Sequence, residues 1–164
     1  MIKKQNNYAF IDSQNLNLAI QGCGWHLDFK RFYIYLKHRY RINKAFLFIG
    51  YIKDNKSLYL YLQKIGYTII FKPVIGQENG FVKGNVDAEL VLHTMLEYNN
   101  FDKAIIISGD GDFYCLIEQL LKDKKLFKLG IPNKKRYSAL LRKFSEYHFY
   151  INHFKKRFEY KKKA

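Results

Sequence analysis

The chain has 164 residues with 29 Lys and Arg against 14 Asp and Glu, a net charge of +15, and its hydrophobic content is 48% with 18% aromatic. That apolar content excludes a disordered chain, and two cysteines, Cys23 and Cys115, without any Cys/His pairing motif exclude a disulfide framework and a structural zinc site. No apolar run approaches a membrane span and the opening "MIKKQNNYAFIDSQN" has no signal-peptide core, so a cytoplasmic protein without a membrane partner is expected.

In chain order, "YAFIDS" (8–13) reads as a short buried strand and "LDFKRFYIYLKHRY" (27–40) as a helix. "KAFLFIGYI" (44–52) is a second strand, "NKSLYLYLQKIG" (55–66) a helix closed by Gly66, and "YTIIFKPV" (67–74) a third strand. A Gly-containing connection leads to a helix from Val86 to Tyr98, whose core stripe is expected at Ala88, Val91, Leu92 and Met95, with Glu89, His93 and Glu97 solvated on the far side. A strand (102–108), a helix (113–122), a fifth strand "KLFKLGIP", a short helix and the strand-like "YHFYIN" follow.

Near-continuous apolar strands separated by helices predict an α/β fold, a three-layer α/β/α sandwich around a mostly parallel central sheet. One domain is expected over residues 1–154, with a basic C-terminal tail over 155–164. Residues 122–164 carry 15 basic and 3 acidic side chains, whereas residues 1–121 carry 14 and 11. A basic third on a globular body is the electrostatic footprint of a polyanion binder, so nucleic acid is the expected partner.

Against that positive background, four aspartates stand out. Asp12 ends the first strand, and Asp110 and Asp112 lie just past the fourth, in "SGDGDF". In doubly wound folds ligands bind beyond the carboxyl ends of the strands, so these groups converge if the two strands are neighbours. Asp87 opens its helix at the edge of the buried stripe, with Asn85 as the expected N-cap. A calcium loop starting at Asp110 fails, because its fifth and twelfth positions are Tyr114 and Leu121. "GDGDFY" is no dinucleotide fingerprint either, and there is no G-K-[ST]. Clustered carboxylates need a compensating hard cation, Mg²⁺ or Mn²⁺, and such an ion on a basic protein suits hydrolysis of a phosphodiester.

The motifs "FIDSQNL" (10–16), "KGNVDAEL" (83–90) and "SGDGDF" (108–113), in this order, resemble the NYN domain, a family of PIN-like nucleases, over roughly residues 7–152. The resemblance implies a PIN-like sandwich and a metal-dependent endoribonuclease acting on single-stranded or structured RNA. By motif, Asp12, Asp87, Asp110 and Asp112 would bind metal, Asp12 and Asp110 directly and the other two through water or a second ion. Asn15 would contact a metal-bound water or the scissile phosphate. Ser108 would orient the aspartates or bind phosphate, and Lys83 would contact phosphate. Where relatives often carry a further acid along the helix of Asp87, this chain has His93. Two alternatives stay open: an RNA-binding regulator with weak or no turnover, and a metal-dependent phosphatase. Pairing of the chain into a homodimer is left open too.

Overall fold

The first strand is apolar on both sides because it runs through the middle of the molecule. In the computed structural model, which describes residues 3–73 and 86–163, β1 (Asn7–Asp12) is buried throughout. Its side chains alternate between two cores: Ala9 and Ile11 enter one, Tyr8 and Phe10 the other. β1 is flanked on one side by β2 (Ile42–Gly50) and then β3 (Thr68–Lys72). On the other side lie β4 (Lys103–Ile107), β5 (Leu126–Ile131) and the short edge strand β6 (His148–Tyr150). All five pairings are parallel, in the order β3-β2-β1-β4-β5-β6. Parallel sheets need cover on both faces, which the helices supply.

One layer is built from α1 (Ser13–Gly22), α2 (Phe29–Tyr40), α3 (Lys56–Ile65) and α6 (Lys155–Phe158). Their core contributions include Leu16, Ile20, Phe32, Leu36, Leu62 and Phe158. The opposite layer comprises α4 (Asp87–Leu96), α5 (Tyr114–Lys122) and a kinked 3₁₀ segment over Ala139–Tyr147, contributing Leu90, Leu116, Ile117, Leu120, Leu141 and Phe144. This is the expected three-layer α/β/α sandwich, with every strand parallel. From β1 the chain winds outward through β2 and β3, then returns to start β4 on the other side of β1. The strand order therefore reverses between β1 and β4, the place where doubly wound sheets open a crevice for ligands.

Three local features differ from what the sequence predicts. Helix α1 follows β1 directly, in a stretch to which the sequence pattern assigns no element; Asp12 makes the junction, accepting a hydrogen bond from the Asn15 N–H as the helix N-cap. Helix α2 begins at Phe29 because Asp28 caps it, accepting from the Arg31 N–H at 3.0 Å. Helix α4 is rotated relative to its expected stripe. Its buried residues are Leu90 and Thr94, continuing from the buried Val86, while Leu92 and Met95 are exposed. The reason is Thr94, whose hydroxyl donates to the Leu90 carbonyl at 2.8 Å, so a polar residue enters the core with its donor satisfied. With the stripe so turned, Glu89 and His93 are half-buried, the latter packing its ring 5.8 Å from that of Phe48.

The C-terminus also packs. Lys155 opens α6, Phe158 is fully buried against Phe32 and Tyr35, and Leu27 and Glu159 form an antiparallel bridge. The Asp28 N–H donates to the Phe158 carbonyl and the Tyr160 N–H to that of His26. The segment expected to leave the domain at residue 155 thus stays attached as far as Tyr160, because Phe154 and Phe158, four apart, give it one apolar face. Among the described residues no helix is long and apolar enough to cross a membrane.

Candidate metal centre at the sheet switch point

Asp12 occupies the last position of β1, and β4 lies beside it, so the loop leaving β4 passes directly over its carboxylate. That loop begins with Ser108, 1% exposed, whose hydroxyl donates to Asp12 Oδ2 at 3.1 Å and accepts from the Asp110 N–H at 3.1 Å. One buried hydroxyl therefore links the two aspartates. Asn15, on the first turn of α1, extends the link: its Oδ1 accepts the Gly109 N–H at 2.8 Å while its own N–H donates to Asp12 Oδ1 at 3.2 Å. Asp110 in turn caps the 3₁₀ turn Gly111–Phe113, its Oδ1 accepting from the Asp112 N–H at 2.9 Å.

Asp87 comes from the other direction. It is the first residue of α4, and α4 packs against β1 through the buried Val86 and Leu90. Carboxylate oxygens of Asp12, Asp87 and Asp110 lie within 4.8 Å of one another. Three of the four aspartates singled out by the sequence are brought together. Asp112 is exposed and stands outside that group, two residues beyond Asp110. Lys83 and the expected cap Asn85 lie outside the described residues. Asn15 and Ser108 both reach the centre, as tethers of its loop and its buried carboxylate.

The electrostatics follow from this crowding. Burial pushes the Asp12 carboxyl up from its usual 3.8 to about 6, and repulsion from Asp87 and Asp110 adds to the rise. The hydrogen bonds from Asn15 and Ser108 oppose it without cancelling it. Three carboxylates so close, one of them 4% exposed, are mutually unfavourable when ionised, a cost that a cation held among them would offset. An all-oxygen donor set at this spacing fits a hard divalent ion.

A strap from further down the chain closes the site. The Ser138 N–H donates to the Gly109 carbonyl at 3.0 Å. A Cβ on Gly109 would lie 3.2 Å from the Tyr137 Cβ, and one on Gly111 only 2.9 Å from the Ser138 Cβ. A side chain at Gly111 is thus blocked by that of Ser138, and one at Gly109 would crowd Tyr137. Nothing in the sequence pattern singles out Ser138, because a contact across about thirty residues leaves no local signal. Glu89 was expected in solvent, yet its Oε2 is buried, without a hydrogen-bond partner among the described residues; a wheel drawn in the correct phase would have placed it there.

A family model described as "NYN domain" matches residues 8–152. The "Low amplitude and bright protein LabA" of Synechococcus elongatus is 31% identical over 121 residues, covering 68% of this chain and 65% of that protein, so the chain spans just under two thirds of that relative's length. Among solved structures, a protein of unknown function from Vibrio parahaemolyticus superposes with a TM-score of 0.75 at 19% identity, over 92% of this chain and 95% of that one. A T5 5′-exonuclease structure with divalent metal ions (zinc) bound gives 0.52 at 16% identity, over 86% of this chain and 60% of that one. These likenesses carry the PIN-like fold. On the family match along nearly its whole folded length, the chain belongs to the NYN domain family.

Proposed function

We propose that this chain is a metal-dependent endoribonuclease that hydrolyses RNA phosphodiester bonds, using Mg²⁺ or Mn²⁺, in the cytoplasm. The observation carrying this reading is the convergence of Asp12, Asp87 and Asp110 within 4.8 Å at the reversal of strand order, in a protein of net charge +15. Membership of the NYN domain family and the fold shared with T5 5′-exonuclease support it.

Asp12, Asp87 and Asp110 would hold the ion, with the exposed Asp112 completing its surroundings through water. A divalent cation bound there supplies charge neutralisation at the scissile phosphate and a lowered pKa for the attacking water. The protein's own contribution is preorganisation. Ser108 fixes the Asp12 carboxylate and the Asp110 backbone with one hydroxyl. Asn15 spends its oxygen on Gly109, leaving the amide nitrogen to donate to a phosphate oxygen. Lys83, which precedes α4 in the sequence, remains the proposed phosphate contact. In-line attack by water leaves 5′-phosphate and 3′-hydroxyl ends and needs no covalent intermediate.

The test is cleavage of end-labelled single-stranded RNA with Mn²⁺, Mg²⁺, Zn²⁺ or EDTA, by wild type and Asp110→Asn. Asparagine caps a turn as well as aspartate, so folding is retained. Cutting that requires metal and disappears in the variant is the expected result. RNA bound but uncut under every metal would replace this reading with that of an RNA-binding regulator. Hydrolysis of small phosphate esters with RNA left intact would favour a phosphatase.

A further inference from the structure

The strap that clamps the Asp110 loop does not end at the carboxylates. Tyr137, whose Cβ abuts Gly109, begins a continuous series of rings: Tyr137 to His148 at 5.5 Å, His148 to Tyr150 at 5.7 Å, and Tyr150 to His153 at 5.4 Å between centroids. Tyr137, His148 and Tyr150 are partly exposed and His153 is exposed. His148 and Tyr150 share one face of β6, the edge strand of the sheet, so the series runs outward from the metal centre to the border of the molecule.

The rings are held in place. The His148 Nε2–H donates to the Leu141 carbonyl at 2.9 Å, and its Nδ1 accepts from the Tyr150 hydroxyl at 3.2 Å. The imidazole is perpendicular to both tyrosines, at 86° and 85°. A positive border accompanies them. Lys134 places its Nζ 5.0 Å from the centre of the Tyr150 ring, and Lys135 and Arg136 are exposed beside it, on the turn that leads into Tyr137. The backbone of that turn is fixed independently of these charges: the Lys134 N–H donates to Asn152 Oδ1 and the Lys135 N–H to Asn133 Oδ1.

Ordered aromatic faces beside lysines are the two components of a surface for a single strand, since bases stack on rings without regard to sequence while cations follow the phosphates. A duplex keeps its bases inside and cannot use the rings. We propose that Tyr137, His148 and Tyr150, with Lys134 over one face of Tyr150 and Lys135 beside it, form a track that holds a single-stranded polynucleotide as it leaves the carboxylate centre across the β6 edge. This rests on the nuclease reading for its direction, since the track starts where that reading places the scissile phosphate. Nothing in the rings or lysines reads the sugar, so RNA and DNA share the recognised chemistry.

The experiment is fluorescence anisotropy in EDTA, where nothing is cut, with a labelled oligo(A) of about twelve nucleotides as RNA, as DNA and as the RNA paired to oligo(U). Tyr137→Leu/Tyr150→Leu keeps the apolar bulk and removes the aromatic faces; affinity for both single strands is expected to fall about tenfold or more. Lys134→Ala/Lys135→Ala is expected to weaken binding and reduce the salt slope by about 1.4, the release expected for two phosphate contacts on a single strand. The charge-matched control is Lys4→Ala/Lys37→Ala, in the basic cluster by the starts of β1 and β2, at the opposite end of the strands, and it is expected to change little. Equal losses in the control and the Lys134/Lys135 variant would mean diffuse attraction and overturn the track. Unchanged affinity in the tyrosine variant, or a duplex preferred over the single strand, would also overturn it while leaving the nuclease reading standing. Failure of wild type to bind any of the three would remove both.

Discussion

Replacing Asp12 with asparagine should make the metal-free protein more stable, and the effect should depend on pH. The Asp12 carboxyl titrates near 3.8 when the chain is unfolded and near 6 when folded, so the folded state binds its proton more tightly. Below about pH 4 both states are protonated and the residue costs nothing. Between about pH 4 and 6 the folded state retains the proton that the unfolded state releases, and stability falls as pH rises; above 6 the loss is complete. About two pKa units correspond to about 3 kcal/mol, undiminished by solvent because the side chain is 4% exposed. The Asp12→Asn variant would retain the cap on α1 through its amide oxygen, turn its amide N–H toward the Ser108 hydroxyl oxygen in place of the acceptor there, and carry no charge. At pH 8 in EDTA its melting temperature should exceed that of wild type by about 6–12 °C, given about 2–4 °C per kcal/mol for a protein of this size. At pH 4 the two should coincide. Adding millimolar Mn²⁺ at pH 8 should raise wild type but not the variant, since only the wild type gains binding energy from the ion. Thermal unfolding followed by circular dichroism gives all three comparisons. A variant less stable than wild type at pH 8, or a difference independent of pH, would refute the claim that the buried carboxylate is an electrostatic burden awaiting a cation.

Other expectations follow from the same contacts. Phe158→Ala should cost about 3–5 kcal/mol in a denaturant titration, because the ring is fully buried; a loss under about 1 kcal/mol would make the last turn a loosely attached tail. Removing residues 161–164 should leave the melting temperature unchanged, since the last described backbone bond is that of Tyr160. Gly111→Ala should cost about 1–3 kcal/mol and displace the Asp110 loop, because the new methyl meets Ser138; the companion Ser138→Gly should restore both stability and cleavage. Ser108→Ala removes a hydrogen bond that holds the Asp12 carboxyl down, so the pH above which metal binds should move upward, read by Mn²⁺ titration at pH 5–8.

The order of strands and helices, their apolar runs and the acidity of the strand ends are local properties, legible in the order of amino acids alone. So is the parallel sheet, since strands such as "KAFLFIGYI" and "KAIII" are apolar on both faces only if helices cover both. Helix α1 is not legible: "SQNLNLAIQG" is half polar, and its helix depends on the cap that Asp12 supplies from β1. The phase of α4 is misleading because a threonine counts as polar until its hydroxyl is seen bonded to the turn before it. The basic tail hides Phe158 among six lysines and arginines, where charge outweighs one ring in any window average. What the chain determined by itself was which groups carry the chemistry, because residue types and their order are written there. Only the tertiary structure decided which of them meet: β4 had to pair with β1 for Asp12 and Asp110 to converge, and α4 had to turn its first residue toward them for Asp87 to join. Asp112 remains outside that group because the same 3₁₀ turn that aims the Asp110 side chain inward leaves its neighbour but one exposed. Such distances arise from pairings between strands more than ninety residues apart, and no local pattern encodes them.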